Sequence, residues 1–304
     1  MSATRAPVTR PSGVRIWLMA ARVRTLPAAV APVLVGTALA GYLHVFHPLR
    51  FLAALIGAMF IQIGTNLSND YSDARRGADT EDRLGPVRVT AGGLVPPRQV
   101  LIATYVTFGI AVLAGVYLIV VAGWQLLLVG AASILAGVLY TGGPRPYGYE
   151  GLGEVFVFLF FGIVAVAGSF FVQVKHLDWE AFALAVPVGL IAAGLLMVNN
   201  VRDIDTDRRA NKRTVAVRIG RPRARILFAA TIYLAYLLTP VTWIFGPLKP
   251  WLFLPWLTLP LAARVVRIVR NHTDGASLNG ALAQTGLLQL TFCTLLAAGL
   301  LLSR

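Results

Sequence analysis

Charge, cysteine and acid are all scarce in this sequence. Only 13% of its 304 residues are charged, too few to cover the surface of a soluble domain of that length. The single cysteine, Cys293, sits in an apolar run, which excludes a disulfide framework and a thiolate metal site and leaves a small buried hydrophobe. The four histidines are dispersed at His44, His47, His176 and His272, and none is assigned chemistry. The first fifteen residues carry Arg5, Arg10 and Arg15 with no short apolar core behind them, so residues 1–15 read as a cytoplasmic tail and not as a cleaved leader.

Hydrocarbon is abundant. Hydrophobic residues make up 57% of the chain and the mean hydropathy is +0.72, the composition of an integral membrane protein. Apolar runs of spanning length fall near 26–45, 50–69, 99–121, 124–141, 154–174, 179–200, 224–245, 250–269 and 280–302. The expected fold is all-α, one domain over residues 1–304 with nine transmembrane helices. Pro27, Pro32, Pro187, Pro255 and Pro260 interrupt these runs, which is tolerated where neighbouring helices satisfy the backbone groups that proline frees.

Nine crossings with the N-terminus inside place the loops after the second, fourth, sixth and eighth helices on one face. Of the 27 lysines and arginines, 23 fall on that face, and only Arg50, Lys175, Lys249 and Arg304 fall on the other. This is the positive-inside pattern, so the net charge of +14 belongs to topology and not to a nucleic-acid partner. The expectation is a multi-pass protein of the cell membrane, with the bilayer as a partner and the two longest loops, 70–98 and 201–223, facing the cytoplasm.

The acids are concentrated where the basic loops are. Ten of the 13 lie in three cytoplasmic segments: Asp70, Asp73, Asp79, Glu81 and Asp82; Glu150 and Glu154; and Asp203, Asp205 and Asp207. The second apolar run ends in Asn66-Leu-Ser-Asn69-Asp70-Tyr71-Ser-Asp73, and the sixth ends in Asn199-Asn200-Val-Arg202-Asp203-Ile-Asp205-Thr-Asp207-Arg208. If each helix continues through its motif, Asn66, Asp70 and Asp73 share one face, as do Asn199, Asp203 and Asp207. The echo hints at duplicated halves with a site between them.

Carboxylates one helical turn apart repel by about 3 kcal/mol at an effective dielectric near 20, so gathering several beside lipid calls for a cation. Oxygen ligands without histidine or cysteine suit magnesium. Magnesium held by one or two carboxylates completes its shell with water and phosphate oxygens, which makes a diphosphate its natural companion. Candidate donors to such a diphosphate are Arg24, Arg76, Arg145, Arg208, Lys212 and Arg213, with Arg22, Arg75 and Arg209 nearby. Tyr71, Tyr140, Tyr147 and Tyr149 fall near the same face, either as an interfacial belt or as rings that shield a developing cation. Helix-end acids that merely answer the loop arginines remain an alternative. So do a transporter, although its acids would be expected near the bilayer midplane, and a non-catalytic scaffold.

These residues resemble the UbiA-type intramembrane aromatic prenyltransferases, and within them the 1,4-dihydroxy-2-naphthoate branch of menaquinone biosynthesis. The resemblance is carried by Arg24-Thr-Leu-Pro27, Gln62-Ile-Gly-Thr-Asn66 through Asp73, Arg83-Leu-Gly-Pro86-Val-Arg88-Val-Thr90, Tyr140-Thr-Gly-Gly143 and Asn199 through Arg208, over residues 15 to about 225. It implies a cavity opening to the cytoplasmic face, with Asn69, Asp70, Asp73, Asp203 and Asp207 as the catalytic set. Asn69, Asp73, Asp79, Asp203 and Asp207 would be the magnesium ligands, and Asn66, Tyr71, Tyr140, Asn199 and Asn200 would line the aromatic and prenyl subsites. The implied reaction is magnesium-dependent transfer of a polyprenyl group from its diphosphate to 1,4-dihydroxy-2-naphthoate, with loss of carbon dioxide, to give demethylmenaquinol. Another aromatic acid such as 4-hydroxybenzoate is the alternative acceptor. The chain departs from the broader pattern at Gly77, where an acid is common; the next acid is Asp79, a spacing similar to the naphthoate branch.

Overall fold

The computed structural model describes residues 12–78, 84–247 and 249–304. Among them the regular structure is helical throughout, without a strand. Seven helices are long and apolar enough to cross a membrane: α3 (Pro48–Arg75), α4 (Pro97–Ala122), α6 (Gly153–Val174), α7 (Trp179–Arg202), α9 (Val215–Ile244), α10 (Pro250–Asn271) and α11 (Gly275–Leu302). A bent pair, α1 with its following turn (Gly13–Thr25) and α2 (Pro27–Tyr42), meets the same test jointly across a 51° break, and α5 (Gln125–Leu139) is a shorter apolar helix. A two-turn helix, α8 (Ile204–Arg209), lies between α7 and α9. All nine apolar runs of the sequence are thus helical; seven satisfy the criterion for a span on their own.

The boundaries follow local chemistry. Proline stands at the start of α2, α3 and α4, where its missing N–H costs nothing and its φ is already helical. The side chains of Thr214 and Asp274 cap α9 and α11 by accepting from Val217 N and Ser277 N. Backbone hydrogen bonding widens to a π-turn over Phe158–Val164 in α6, and there Gly162 and Gly189 bring α6 against α7 so closely that a Cβ on Gly162 would lie 2.6 Å from Gly189 Cα. Both central glycines therefore set the helix separation.

Two boundaries differ from the sequence expectation. Residues 1–11 lie outside the described residues, but α1 begins at Gly13, within the expected tail. Ser12 caps it, and it buries Ile16 and Ala20 against Leu67, Val89, Val95 and Val100 while Val14, Trp17 and Leu18 face outward. The loop expected at 201–223 is also mostly helical, because α8 continues the turn of α7 and α9 starts at Val215; the chain kinks at Gly220 (φ 79°), two residues before Pro222.

The main core joins α2, α6, α7, α9, α10 and α11 around Phe170, Phe228 and Phe292, each fully buried. The α3–α4 pair packs together along its length, with α5 against both. Between these two groups lies a cavity.

Candidate active site

At the polar end of α3 each Asn and Asp side chain from Asn66 to Asp73 finds a partner. Asn66 donates to Ala21 O (3.0 Å) and to Thr25 Oγ1 (3.2 Å), tying the helix to the α1–α2 bend. Asn69 Oδ1 accepts from Thr141 Oγ1 at 2.9 Å. Asp70 is turned away from both, accepting the backbone N–H groups of Val89 (3.1 Å) and Thr90 (2.9 Å). Asp73 gathers three donors: Tyr149 Oη at 2.7 Å on one oxygen, with Lys212 Nζ at 3.2 Å and Arg88 Nη2 at 3.3 Å on the other.

The second motif is built around a buried arginine. Arg202, 1% exposed, donates through Nε and Nη2 to the two oxygens of Asp203 (2.8 and 2.6 Å), through Nη2 also to Asn199 Oδ1 (2.8 Å), and through Nη1 to Asn279 Oδ1 (2.7 Å). A guanidinium fork of this kind holds a carboxylate bidentately. The helix breaks for one residue at Asp203, yet Asp203 N donates to Asn199 O and Asp207 N to Asp203 O, so the four-residue repeat of the motif survives the break. Beyond α8, Asn211 adopts a left-handed φ of 56° and Arg213 N donates to Tyr149 O, and this turn sends Lys212 back towards Asp73.

These groups ring one end of a cavity of about 500 Å³. Of the predicted site residues, Asn66, Asn69, Asp73, Tyr140, Asn199, Asn200, Asp203, Asp207 and Lys212 line it. Most of its remaining wall is apolar, and small residues are frequent in it: Ala54, Gly57 and Ala58 of α3, Ala111 and Gly115 of α4, Gly130 of α5 and Gly168 of α6. From Ala54 to Asp73 the cavity follows α3 for roughly 28 Å at 1.5 Å per residue. A charged mouth and a long hydrocarbon slot are what an amphiphile with an anionic head and an extended apolar tail needs.

The other predicted residues lie off this wall. Asp70 clamps the 84–96 segment, and Tyr71 accepts from Arg75 Nη1 at 3.2 Å. Arg76 packs at the rim, donating to Thr141 O (3.1 Å) and to Gly143 O. Arg24, Arg145, Arg208 and Arg213 are exposed. Asp79 lies outside the described residues.

Two residues that were given no site role in the sequence are central in the structure: Arg88, 9% exposed, and Arg202, which help carry the resemblance but otherwise read as topogenic charge. Tyr149, one of four tyrosines read either as an interfacial belt or as rings beside a developing cation, donates to Asp73. The available signal was position: Arg202 lies inside the second motif, and a charge that close to an apolar run is buried only when paired. Lys212 Nζ also sits 4.7 Å from the centre of the Tyr149 ring. Tyr147 stacks on Phe156 (4.0 Å between centroids) and meets Tyr140 edge-on at 5.4 Å; burial pushes its phenol well above the usual range.

Three carboxylates (Asp73, Asp203, Asp207) and three cations (Arg22, Arg88, Lys212) line the cavity. Among the described residues no three of His, Cys, Asp or Glu stand close enough to share an ion, which excludes an all-protein cage there. An all-oxygen set of one or two carboxylates with an amide, open to phosphate oxygens, fits magnesium, and the cavity wall offers Asn69, Asp73, Asp203 and Asp207 as oxygen donors from which such a set could be drawn.

The sequence matches the UbiA prenyltransferase family over residues 29–288. It is 42% identical over 284 residues to a 1,4-dihydroxy-2-naphthoate octaprenyltransferase of Mycobacterium tuberculosis, covering 93% of this chain and 96% of that one. It is 34% identical over 298 residues to the protein of the same name in Bacillus subtilis, covering 98% and 96%. The fold is similar to the solved structure of a UbiA homolog from Archaeoglobus fulgidus bound to GPP and Mg2+, with a TM-score of 0.64 at 13% identity over 92% of this chain and 99% of that one.

Proposed function

The chain belongs to the UbiA prenyltransferase family, and we propose that it transfers a polyprenyl group from polyprenyl diphosphate to 1,4-dihydroxy-2-naphthoate, with loss of the naphthoate carboxyl group as carbon dioxide, to give demethylmenaquinol. The observation that carries this reading is the meeting of Asp73, Asp203, Asp207 and Lys212 on the wall of one long, mainly apolar cavity. The names of the full-length relatives support the acceptor.

In this reading Asn69, Asp73, Asp203 and Asp207 would hold magnesium, no more than two of the carboxylates on any one ion, and the metal would neutralise charge as it develops on the departing diphosphate. Lys212 and Arg88, both now on Asp73 Oδ2, turn to phosphate oxygens once the carboxylate is otherwise engaged. Arg202 keeps Asp203 oriented throughout. The prenyl tail lies along Ala54, Gly57 and Ala58 of α3, out of water. The allylic carbon that loses diphosphate becomes cation-like beside the rings of Tyr140, Tyr147 and Tyr149, whose faces attract positive charge, and the electron-rich, carboxyl-bearing carbon of the naphthoate attacks it. Restoring the ring's aromaticity expels the carboxyl group.

The proposed topology has nine crossings, counting the bent α1–α2 pair and α5, in the plasma membrane with the cavity mouth on the cytoplasmic side, as 23 of 27 basic residues favour. The function is tested by incubating purified protein with magnesium, a long prenyl diphosphate and 1,4-dihydroxy-2-naphthoate labelled at its carboxyl carbon. Labelled carbon dioxide released in step with prenylated product is expected. A lipid product that retains the label, or turnover only with 4-hydroxybenzoate, overturns the acceptor assignment.

A further inference from the structure

Glu154 plays no part in the proposed chemistry, yet it is an acid at 7% exposure near the start of a membrane helix, a position that is costly unless it has a role. Its Oε1 accepts from Asn200 Nδ2 at 2.9 Å, while its Oε2 is buried without a hydrogen-bond partner. Among the described residues the Asn200 amide is thus the one side-chain hydrogen-bond partner of this carboxylate. Asn200 belongs to the cavity wall; Glu154 stands behind it.

A carboxylate only accepts hydrogen bonds, so it fixes which end of the amide faces it. Asn200 must give Nδ2 to Glu154, and Oδ1 is the end left for the cavity. The neighbouring residue is locked the opposite way. Asn199 Oδ1 is taken by Arg202 Nη2 at 2.8 Å, and a guanidinium only donates, so Asn199 keeps Nδ2 to offer. Two adjacent amides of identical chemistry are set to opposite polarity by a buried acid oxygen that accepts and a buried guanidinium that donates.

We infer that Glu154 is a positioning residue that makes Asn200 Oδ1 a fixed hydrogen-bond acceptor for a ring hydroxyl of the aromatic substrate, with Asn199 offering a donor beside it. This rests on the proposed function and assigns the acceptor end of the same cavity. A ring with a hydroxyl donor next to an oxygen acceptor satisfies both amides; a ring without that hydroxyl leaves a buried carbonyl unpaired.

The test uses the full-length protein in detergent or nanodiscs. Competitive inhibition is measured for 1-hydroxy-2-naphthoate and for 4-hydroxy-2-naphthoate, each lacking one ring hydroxyl, against 1,4-dihydroxy-2-naphthoate as substrate. One of the two is expected to bind roughly tenfold more weakly than the dihydroxy acid, the loss for one buried hydrogen bond. In Glu154→Gln the replacement side chain can donate as well as accept, so Asn200 is released to turn, and the discrimination is expected to fall to about twofold with KM for the prenyl diphosphate unchanged. A variant that kept the wild-type ratio would overturn the inference, as would a wild-type protein that binds both analogues as well as the dihydroxy acid, a result that needs no variant to fold. A wild-type protein that prenylates no aromatic acid overturns the proposed function and this inference together.

Discussion

Lys212 Nζ stands 3.2 Å from Asp73 Oδ2, so two motifs 139 residues apart in sequence meet in one ion pair. The pair is 12% and 2% exposed and is screened little by salt. A buried charge-assisted bond contributes about 1.5–3 kcal/mol, and moving it from carboxylate to phosphate transfers that energy to substrate binding. Lys212→Ala is therefore expected to raise KM for the prenyl diphosphate by roughly ten- to a hundredfold and leave KM for the aromatic acid unchanged. An unchanged diphosphate KM would remove Lys212 from the site.

Asp70 and Asp73 stand one helical turn apart and should fail in different ways. Asp73→Asn keeps the shape but removes a carboxylate that holds three donors, and both it and Asp207→Asn are expected to cut turnover by about two or more orders of magnitude while the protein remains folded in detergent. Asp70→Asn cannot accept both the Val89 and Thr90 N–H groups as a carboxylate does; leaving one unpaired costs about 1–3 kcal/mol. Its main effect is expected in stability, as a lowered melting temperature and faster proteolysis in the 84–96 segment. Near-normal turnover in Asp207→Asn, or activity that survived thorough chelation, would rule out the magnesium–diphosphate chemistry.

The apolar runs and the paired Asn/Asp motifs were legible because hydrophobicity and helical spacing are local properties. Asp73, Asp203 and Asp207 reach the cavity as their spacing suggests. Asp70 has the same spacing and does not line the cavity, because its partners are backbone N–H groups of a loop that no periodicity announces. Arg88 and Arg202 were hidden for a similar reason: near a membrane face an arginine reads as topogenic, and only the packed structure distinguishes one that is buried on a carboxylate. Arg24, Arg76, Arg145, Arg208 and Arg213, proposed for the diphosphate, are exposed, and of that set only Lys212 is not.

Topology can be read by labelling. In a Cys293→Ala background, a cysteine at Ser72, near the cavity mouth, and one at His47, before α3 begins, are expected to react with an impermeant thiol reagent from opposite sides of the membrane. Modification of both from one side would mean that α3 does not cross.

Alkaline pH should weaken the turn that carries Tyr147. Burial raises its phenol above the ordinary value of 10.0, and the neutral hydroxyl donates to Ala136 O at 2.8 Å. In the unfolded chain the proton leaves near pH 10, whereas the folded protein retains it, so above that pH the folded state binds more protons and stability falls as pH rises. The contribution is complete below pH 10. Melting temperatures measured from pH 8 to 11 should drop at the upper end, and less steeply in Tyr147→Phe; equal slopes would show that another group governs the transition.

The glycines of the cavity wall offer a way to set the length of chain the protein accepts. Gly57, Gly115, Gly130 and Gly168 all line the cavity, and a Cβ built on any of them meets no atom within 4 Å. All four lie inside helices, where replacing glycine by a residue with a side chain gains about 0.5–1 kcal/mol of helix propensity. Enlarging them therefore fills open space without straining the fold. Gly57 and Gly115 lie toward the apolar part of the slot, far along α3 and α4 from Asp73, so Gly57→Leu and Gly115→Leu should shorten the slot and leave its charged mouth intact. The expected outcome is loss of activity with long polyprenyl diphosphates, through a raised KM, while geranyl diphosphate is used as well as before. Competition between a short and a long diphosphate in one assay reads this directly as a product ratio. If both variants kept the wild-type ratio, the prenyl tail would not lie along this wall.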